Sequence, residues 1–328
     1  MKRLQNRIAE SHYALVFVAL YALAVWYFGG LVEHQYYVQL FCFVISSYLM
    51  VELNNSNALL RIRSRMVSCS FIVLMAMSSF LFPSLRSALV TLCFVTFYII
   101  IFHTYQDHQS PGYTFYAFLA LGIASVMLPQ VVFFVPFIWL MMAFWLMAFS
   151  WRMWIASLLG LLAPYWFIVP WYIYSGLEDR LIAHVVSLIT FTPHTLPWGE
   201  QGWGSLLHSP QGASGWVSLL MLITFLFVFV IGLVGTIHFL RNASKDKIRT
   251  RMLYYIFISM FLLTALFIIL QPQHFEALFG FMIVNASALI AHFIALTRTR
   301  FTNIAFFILI ALVFLLTVCN LWMPSLLS

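Results

Sequence analysis

Four carboxylates, Glu33, Glu178, Asp179 and Glu200, stand in stretches of this chain polar enough to face water. A carboxylate held beside a substrate can serve as general acid or base, so these four are the candidate catalytic residues. Glu178 and Asp179 run on into Arg180 and His184, a cation that suits phosphate and an imidazole that can carry a proton. Trp198 and Trp203 bracket Glu200; their rings can stack on a sugar or settle at the headgroup level of a bilayer. Arg180, His184, Trp198 and Trp203 are therefore the candidate substrate-binding residues. Glu178 and Asp179 are adjacent, so on a helix they point about 100° apart and form no carboxylate pair by themselves. The plain alternative is an ordered loop that the two tryptophans anchor at the membrane interface.

His103, Asp107 and His108 make a second cluster, with 103 and 107 on one helix face, a spacing that can bind a divalent metal. Such groups are common at a solvated helix end, and no metal or cofactor is assigned. No phosphate-cradling glycine loop, zinc-protease helix or Cys-x-x-Cys motif is present. Cys42, Cys69, Cys93 and Cys319 all fall in apolar runs and read as small packing residues.

What must position these groups is a membrane bundle. Of 328 residues 64% are hydrophobic and only 8% charged, whereas soluble domains carry about 25% charged residues. The fold class is all-α, a polytopic transmembrane helix bundle. Eleven apolar segments are long enough to cross, near 12–30, 35–52, 66–84, 87–105, 113–128, 131–149, 153–174, 215–240, 252–270, 275–296 and 303–323. These runs are continuous, unlike the alternating segments of a β-barrel. The net charge of +7 is read as topology, since no basic face suited to nucleic acid is visible.

The basic residues orient the bundle, because Lys and Arg stay on the side where the chain is made. With eleven crossings, N-terminus cytoplasmic and C-terminus external, all of the sixteen Lys and Arg except Arg86 and Arg180 fall inside. The densest group is Arg241, Lys245, Lys247, Arg249 and Arg251. Merging 113–149 into one span would place that group outside. Lys2 and Arg3 precede an apolar run that continues past Ala22-Leu-Ala24, which fits a retained first span better than a cleaved signal. Under this topology Glu33, Glu178, Asp179, Glu200 and Glu276 lie outside with five histidines, and the inside is basic and chemically plain. No Asp, Glu, Lys or Arg falls near the middle of a span, which counts against an ion-driven mechanism.

The chain reads as one integral-membrane helical domain, 1–328, with one long outer loop at about 175–214. Its first part puts Leu177, Leu181, Val185 and Leu188 on one helical face, fit to lie on the membrane surface or against the bundle. Ala156 and Gly160, and Ser287, Ala291 and Ala295, follow small-xxx-small spacing that allows helices to approach closely. Pro136, Pro164 and Pro170 should kink their helices, and the Asn54–Asn57 stretch should end the second span.

From Leu59 to Phe167 the chain resembles a family of polytopic inner-membrane proteins of Bacteroidota with no assigned activity. The carrying residues are Leu60-Arg-Ile-Arg-Ser-Arg-Met66, Ser78-Ser-Phe-Leu-Phe-Pro83, Leu121-Gly-Ile-Ala-Ser-Val-Met-Leu-Pro129, and Ser150-Trp-Arg-Met-Trp154 followed by Leu159-Gly-Leu-Leu-Ala-Pro-Tyr165. Where the family pattern often has an acid after the Trp-Arg pair, Met153 stands here. The resemblance implies a place in the bacterial inner membrane. The layout is also similar to integral-membrane glycosyltransferases of the C type, which implies a polyprenyl-phosphate sugar handled by an acid on the outer face. In those enzymes the acid usually sits in a substantial first outer loop; here that loop is short and Glu33 is its single acid. Two other readings stay open: a transporter or channel for a small or lipidic solute, and a scaffold in an envelope complex. The expected partners are the lipid bilayer and, with it, a lipid-linked substrate or other envelope proteins; nucleic acid is not among them.

Overall fold

The computed structural model describes residues 4–11, 13–189 and 213–327. Among the described residues it is all-α, with thirteen α-helices. Each of the eleven apolar segments carries a helix, and the helices gather into two compact units, Met1–Ala88 with Thr195–Ser328, and Leu89–His194. Among the described residues seven helices are long and apolar enough to cross a membrane, or eight if the bent pair at the N-terminal end counts as one. Large apolar side chains such as Phe17, Phe28, Phe41, Trp166, Phe167 and Phe301 point outward. Water does not tolerate a surface of that kind, whereas hydrocarbon does.

The first unit holds α1 (Leu4–Glu10), α2 (Ala14–Phe28), α3 (Tyr37–Asn57), α4 (Met66–Met77), α10 (Ala213–Asn242), α11 (Ile248–Leu270), α12 (Phe275–Leu296) and α13 (Arg300–Leu327). Helix α12 is the axis, enclosed almost completely and packed by α4, α10 and α11. Its sequence explains this: Gly280, Ala286, Ser287, Ala288, Ala291 and Ala295 are all buried and small enough for neighbours to approach on several sides. The partner helix contributes Gly235, where any Cβ would collide with the Leu289 backbone.

Side-chain hydrogen bonds then clamp the helix ends, where backbone groups lack partners. Gln5 Nε2 donates to Ile294 O (2.7 Å) and Thr297 Oγ1 (2.9 Å), so α1 covers the end of α12. At the opposite end Asn320 Nδ2 donates to Met77 O (2.8 Å) and Thr224 Oγ1 (3.1 Å), tying α13 to α4 and α10. Helix α13 thus starts beside α1 and finishes at the far end of the unit.

The second unit, from Leu89 within α5 (Leu85–Ile101), holds α6 (Pro111–Met127), α7 (Val135–Phe144), α8 (Trp151–Tyr174) and α9 (Glu178–Ile189). Ser150 accepts a hydrogen bond from Met153 N and caps α8. Thr114 meets Met153 and Ser125 meets Tyr165, so α6 and α8 run parallel. The chain must therefore return between them. Leu128 is extended (φ −137°), Pro129–Phe134 forms a 3₁₀ turn, and α7 runs back until Leu146 O accepts from Gln106 N (2.8 Å). Six 3₁₀ and ten α residues span about 27 Å, matching about 25 Å for α6. Pro129-Gln130 is a turn between two legs.

Some local expectations change. Pro136 lies in the first turn of α7, where proline fits without a kink. Pro164 and Pro170 sit inside α8, which continues through both. The Asn stretch stays helical through Asn57, and the left-handed residue that ends α3 is Ala58 (φ 46°).

Candidate functional site

The basic loops of the first unit converge on one end. Arg61 Nε donates to Asp246 Oδ1, and Arg249 donates to Asn57 Oδ1 (3.0 Å). The Asp246 side chain has no solvent exposure, and neither has that of His292, whose Nε2 lies 3.1 Å from Asp246 Oδ2. The other face of that ring places Nδ1 3.3 Å from His238 Nδ1. Burial pushes the Asp246 carboxyl up, but hydrogen bonds from His292 and Arg61, together with their charge, outweigh it and hold the group below the usual carboxylate range.

Chemistry fixes how protons sit in this chain of four. An ionised carboxylate only accepts, so His292 Nε2 donates. The Nδ1···Nδ1 contact then accommodates one proton, supplied by either ring; protonating both would set two N–H groups against each other. The donors lie in a row, and among the described residues no three His, Cys, Asp or Glu side chains form a metal-holding group.

Beside this row lies a pocket of about 360 Å³ lined by Glu10, Ser11, Asn54, Asn55 and the loop 58–65 that carries Arg61, Arg63 and Arg65. The loop owes its shape to alternation. Leu59 and Leu60 are buried, Ser64 is buried with its hydroxyl on Ala9 O, and the arginines between them face solvent. Asn54 is buried (6% exposed) and donates to Ser64 O (2.8 Å), while its carbonyl oxygen has no partner. The pocket thus offers the guanidinium groups of Arg63 and Arg65, that of Arg61 shared with Asp246, and one acid. At the far end of the unit a second pocket of about 320 Å³ is lined by Ser84, Arg86, Gln273, His274 and Glu276 among others.

The expected site residues fare differently. Glu33 sits, exposed, in the turn between α2 and α3. Glu178, Asp179, Arg180 and His184 all lie on α9, with Asp179 exposed. Glu200, Trp198 and Trp203 lie outside the described residues. His103 stacks on Tyr113, and Asp107 is engaged locally: the Ser110 hydroxyl and the Gln109 N–H donate to it and hold its carboxyl below the ordinary range. The expectation of a chemically plain basic side does not hold, because the buried Asp246 and His292 meet the half-buried His238 there. Sequence reasoning passed over Asp246, although it is the only acid in a run of five basic residues.

Helix α9 packs on α8 and the 129–134 turn, but with a rotated face. Leu181, His184 and Ser187 are half-buried, whereas Ile182, Val185 and Val186 are exposed, as suits a helix lying in the interface. His184 Nε2 meets Tyr165 Oη (3.1 Å), which in turn meets Ser125 Oγ (2.9 Å). Desolvation lowers the His184 pKa, so the packed helix favours the neutral ring. The docking of α9 should be complete above the ordinary histidine value of about 6.5 and weaken as pH falls below it. Hydrogen exchange of residues 178–189 should accelerate at about pH 5, beyond the intrinsic pH effect, and His184→Phe should remove that excess. Equal protection at both pH values after correction would refute the docking role.

No family model, curated protein or solved structure matches this chain.

Proposed function

We propose that this chain is a multi-pass protein of the bacterial inner membrane, its basic end cytoplasmic, that binds a phosphate-bearing substrate in the pocket beside α1 and the 58–65 loop. The observation that carries this reading is the trio Arg61, Arg63 and Arg65 opening into one pocket whose single acid is Glu10. Guanidinium forks match phosphate oxygens two at a time, and such charge-assisted bonds are stronger than neutral ones.

Glycerol 3-phosphate should therefore bind the purified full chain and raise its thermal midpoint. Arg63→Ala with Arg65→Ala should weaken that binding by at least about tenfold. Binding that survives the double substitution would remove the reading.

A second reading, a lipid-linked substrate handled at the outer leaflet, is favoured by the far-end pocket, where Arg86, His274 and Glu276 pair an anion-binding group with proton carriers. It is separated from the first by loss of activity in Glu276→Gln with glycerol 3-phosphate binding intact.

A further inference from the structure

We infer that the substrate is a lipid phosphate whose tail lies in an apolar groove leading out of the arginine pocket. This rests on the phosphate reading above and names its substrate class.

The groove, about 380 Å³, belongs to the same unit and is walled by Phe17, Cys69, Val73, Ile290, Phe306 and Leu309 among others. Its wall is apolar almost throughout. It meets the arginine pocket at Ser11, a residue that lines both. Along α4 it extends from Met66 to Leu74, and along α13 from Phe306 to Val313. At 1.5 Å per residue these are about 12 and 10 Å of depth, most of one leaflet in a hydrocarbon core of about 30 Å.

The order of chemistry along this path is that of an anionic amphiphile: cations outermost, Ser11 at the junction, then hydrocarbon. A soluble phosphate ester would use the pocket and leave the groove without a role. A neutral lipid would use the groove and leave the exposed Arg63 and Arg65 beside it without a role. Charge complementarity and continuity together select one occupant, a lipid with a phosphate headgroup.

Three probes test this on the full chain in neutral detergent, with binding read by native mass spectrometry. Phosphatidic acid carries tail and phosphate, diacylglycerol the tail alone, and glycerol 3-phosphate the phosphate alone. Phosphatidic acid should bind at least about tenfold tighter than either of the others. Filling the groove by Val73→Trp, or separately by Leu309→Trp, should reduce phosphatidic acid binding about tenfold and leave glycerol 3-phosphate unchanged. The unchanged probe also shows that each variant is folded.

Equal affinity for phosphatidic acid and glycerol 3-phosphate would overturn the tail assignment while sparing the phosphate site. Equal affinity for phosphatidic acid and diacylglycerol would make the groove ordinary boundary-lipid surface and overturn it likewise. Groove variants that still bind phosphatidic acid fully would do the same. If none of the phosphate probes responds to Arg63→Ala with Arg65→Ala, the phosphate reading itself fails.

Discussion

Replacing Asp246 by alanine is expected to lower the thermal midpoint of the purified protein by about 5 °C, corresponding to roughly 2 kcal/mol. The reason is the asymmetry of buried charge. With the carboxylate gone, Arg61 and His292 confront each other across the space it filled, and the His292 Nε2–H loses its acceptor. Removing one member of a fully buried pair costs about 3–5 kcal/mol. The lower figure applies because the Arg61 side chain is 32% exposed and can recover part of its hydration. Asp246→Asn keeps an acceptor and should cost about half as much.

The pH dependence of the same site has a defined sign. The folded Asp246 value is depressed, so the stabilisation is present above the unfolded carboxylate value near 4 and is lost as pH falls through the folded value. The wild-type midpoint should fall more steeply than that of Asp246→Asn below about pH 4. An unchanged midpoint in Asp246→Ala, measured by scanning fluorimetry near neutral pH, would contradict the network's structural role.

Gly160→Leu is expected to destabilise the second unit by about 3 kcal/mol. Any Cβ at position 160 would land on the Phe115 carbonyl oxygen and press on the Leu119 amide, both backbone atoms that no rotamer change can move. The same crossing is tight at Gly122, against Leu161 O and Pro164. The parallel pair α6 and α8 would have to separate along its length. Gly112 supplies the contrast, since nothing lies within 4 Å of a Cβ there. Gly112→Ala on the first turn of α6 should be neutral or stabilising by about 0.5 kcal/mol. Similar unfolding curves for Gly160→Leu and Gly112→Ala would show that the crossing is looser than described.

Much of the architecture is legible in residue order. Each apolar run became a helix, because a backbone in hydrocarbon must satisfy its own hydrogen bonds. Ala156 and Gly160 announced a close crossing, and Pro129-Gln130 marked the break between 113–128 and 131–149. Helix lengths were less legible. Met66–Met77 and Val135–Phe144 are only 12 and 10 residues, since Ser78 and Leu128 leave helical geometry where the next residues form 3₁₀ turns. Spacing on α9 left its apolar face open between the membrane surface and the bundle, and the bond from His184 to Tyr165 shows which positions dock.

The sequence alone determined that this chain is a helical membrane protein and which segments carry its basic residues, because hydropathy and charge are properties of single residues and their order. Only the tertiary structure decided where those charges meet. Arg61, the neighbouring His238 and Asp246, and His292 come from three distant stretches, and no periodicity records which helices are neighbours. The packing of α12 brings two imidazoles and one acid into the same buried row. The bend at 58–65 then gathers Arg61, Arg63 and Arg65 around a pocket beside that row.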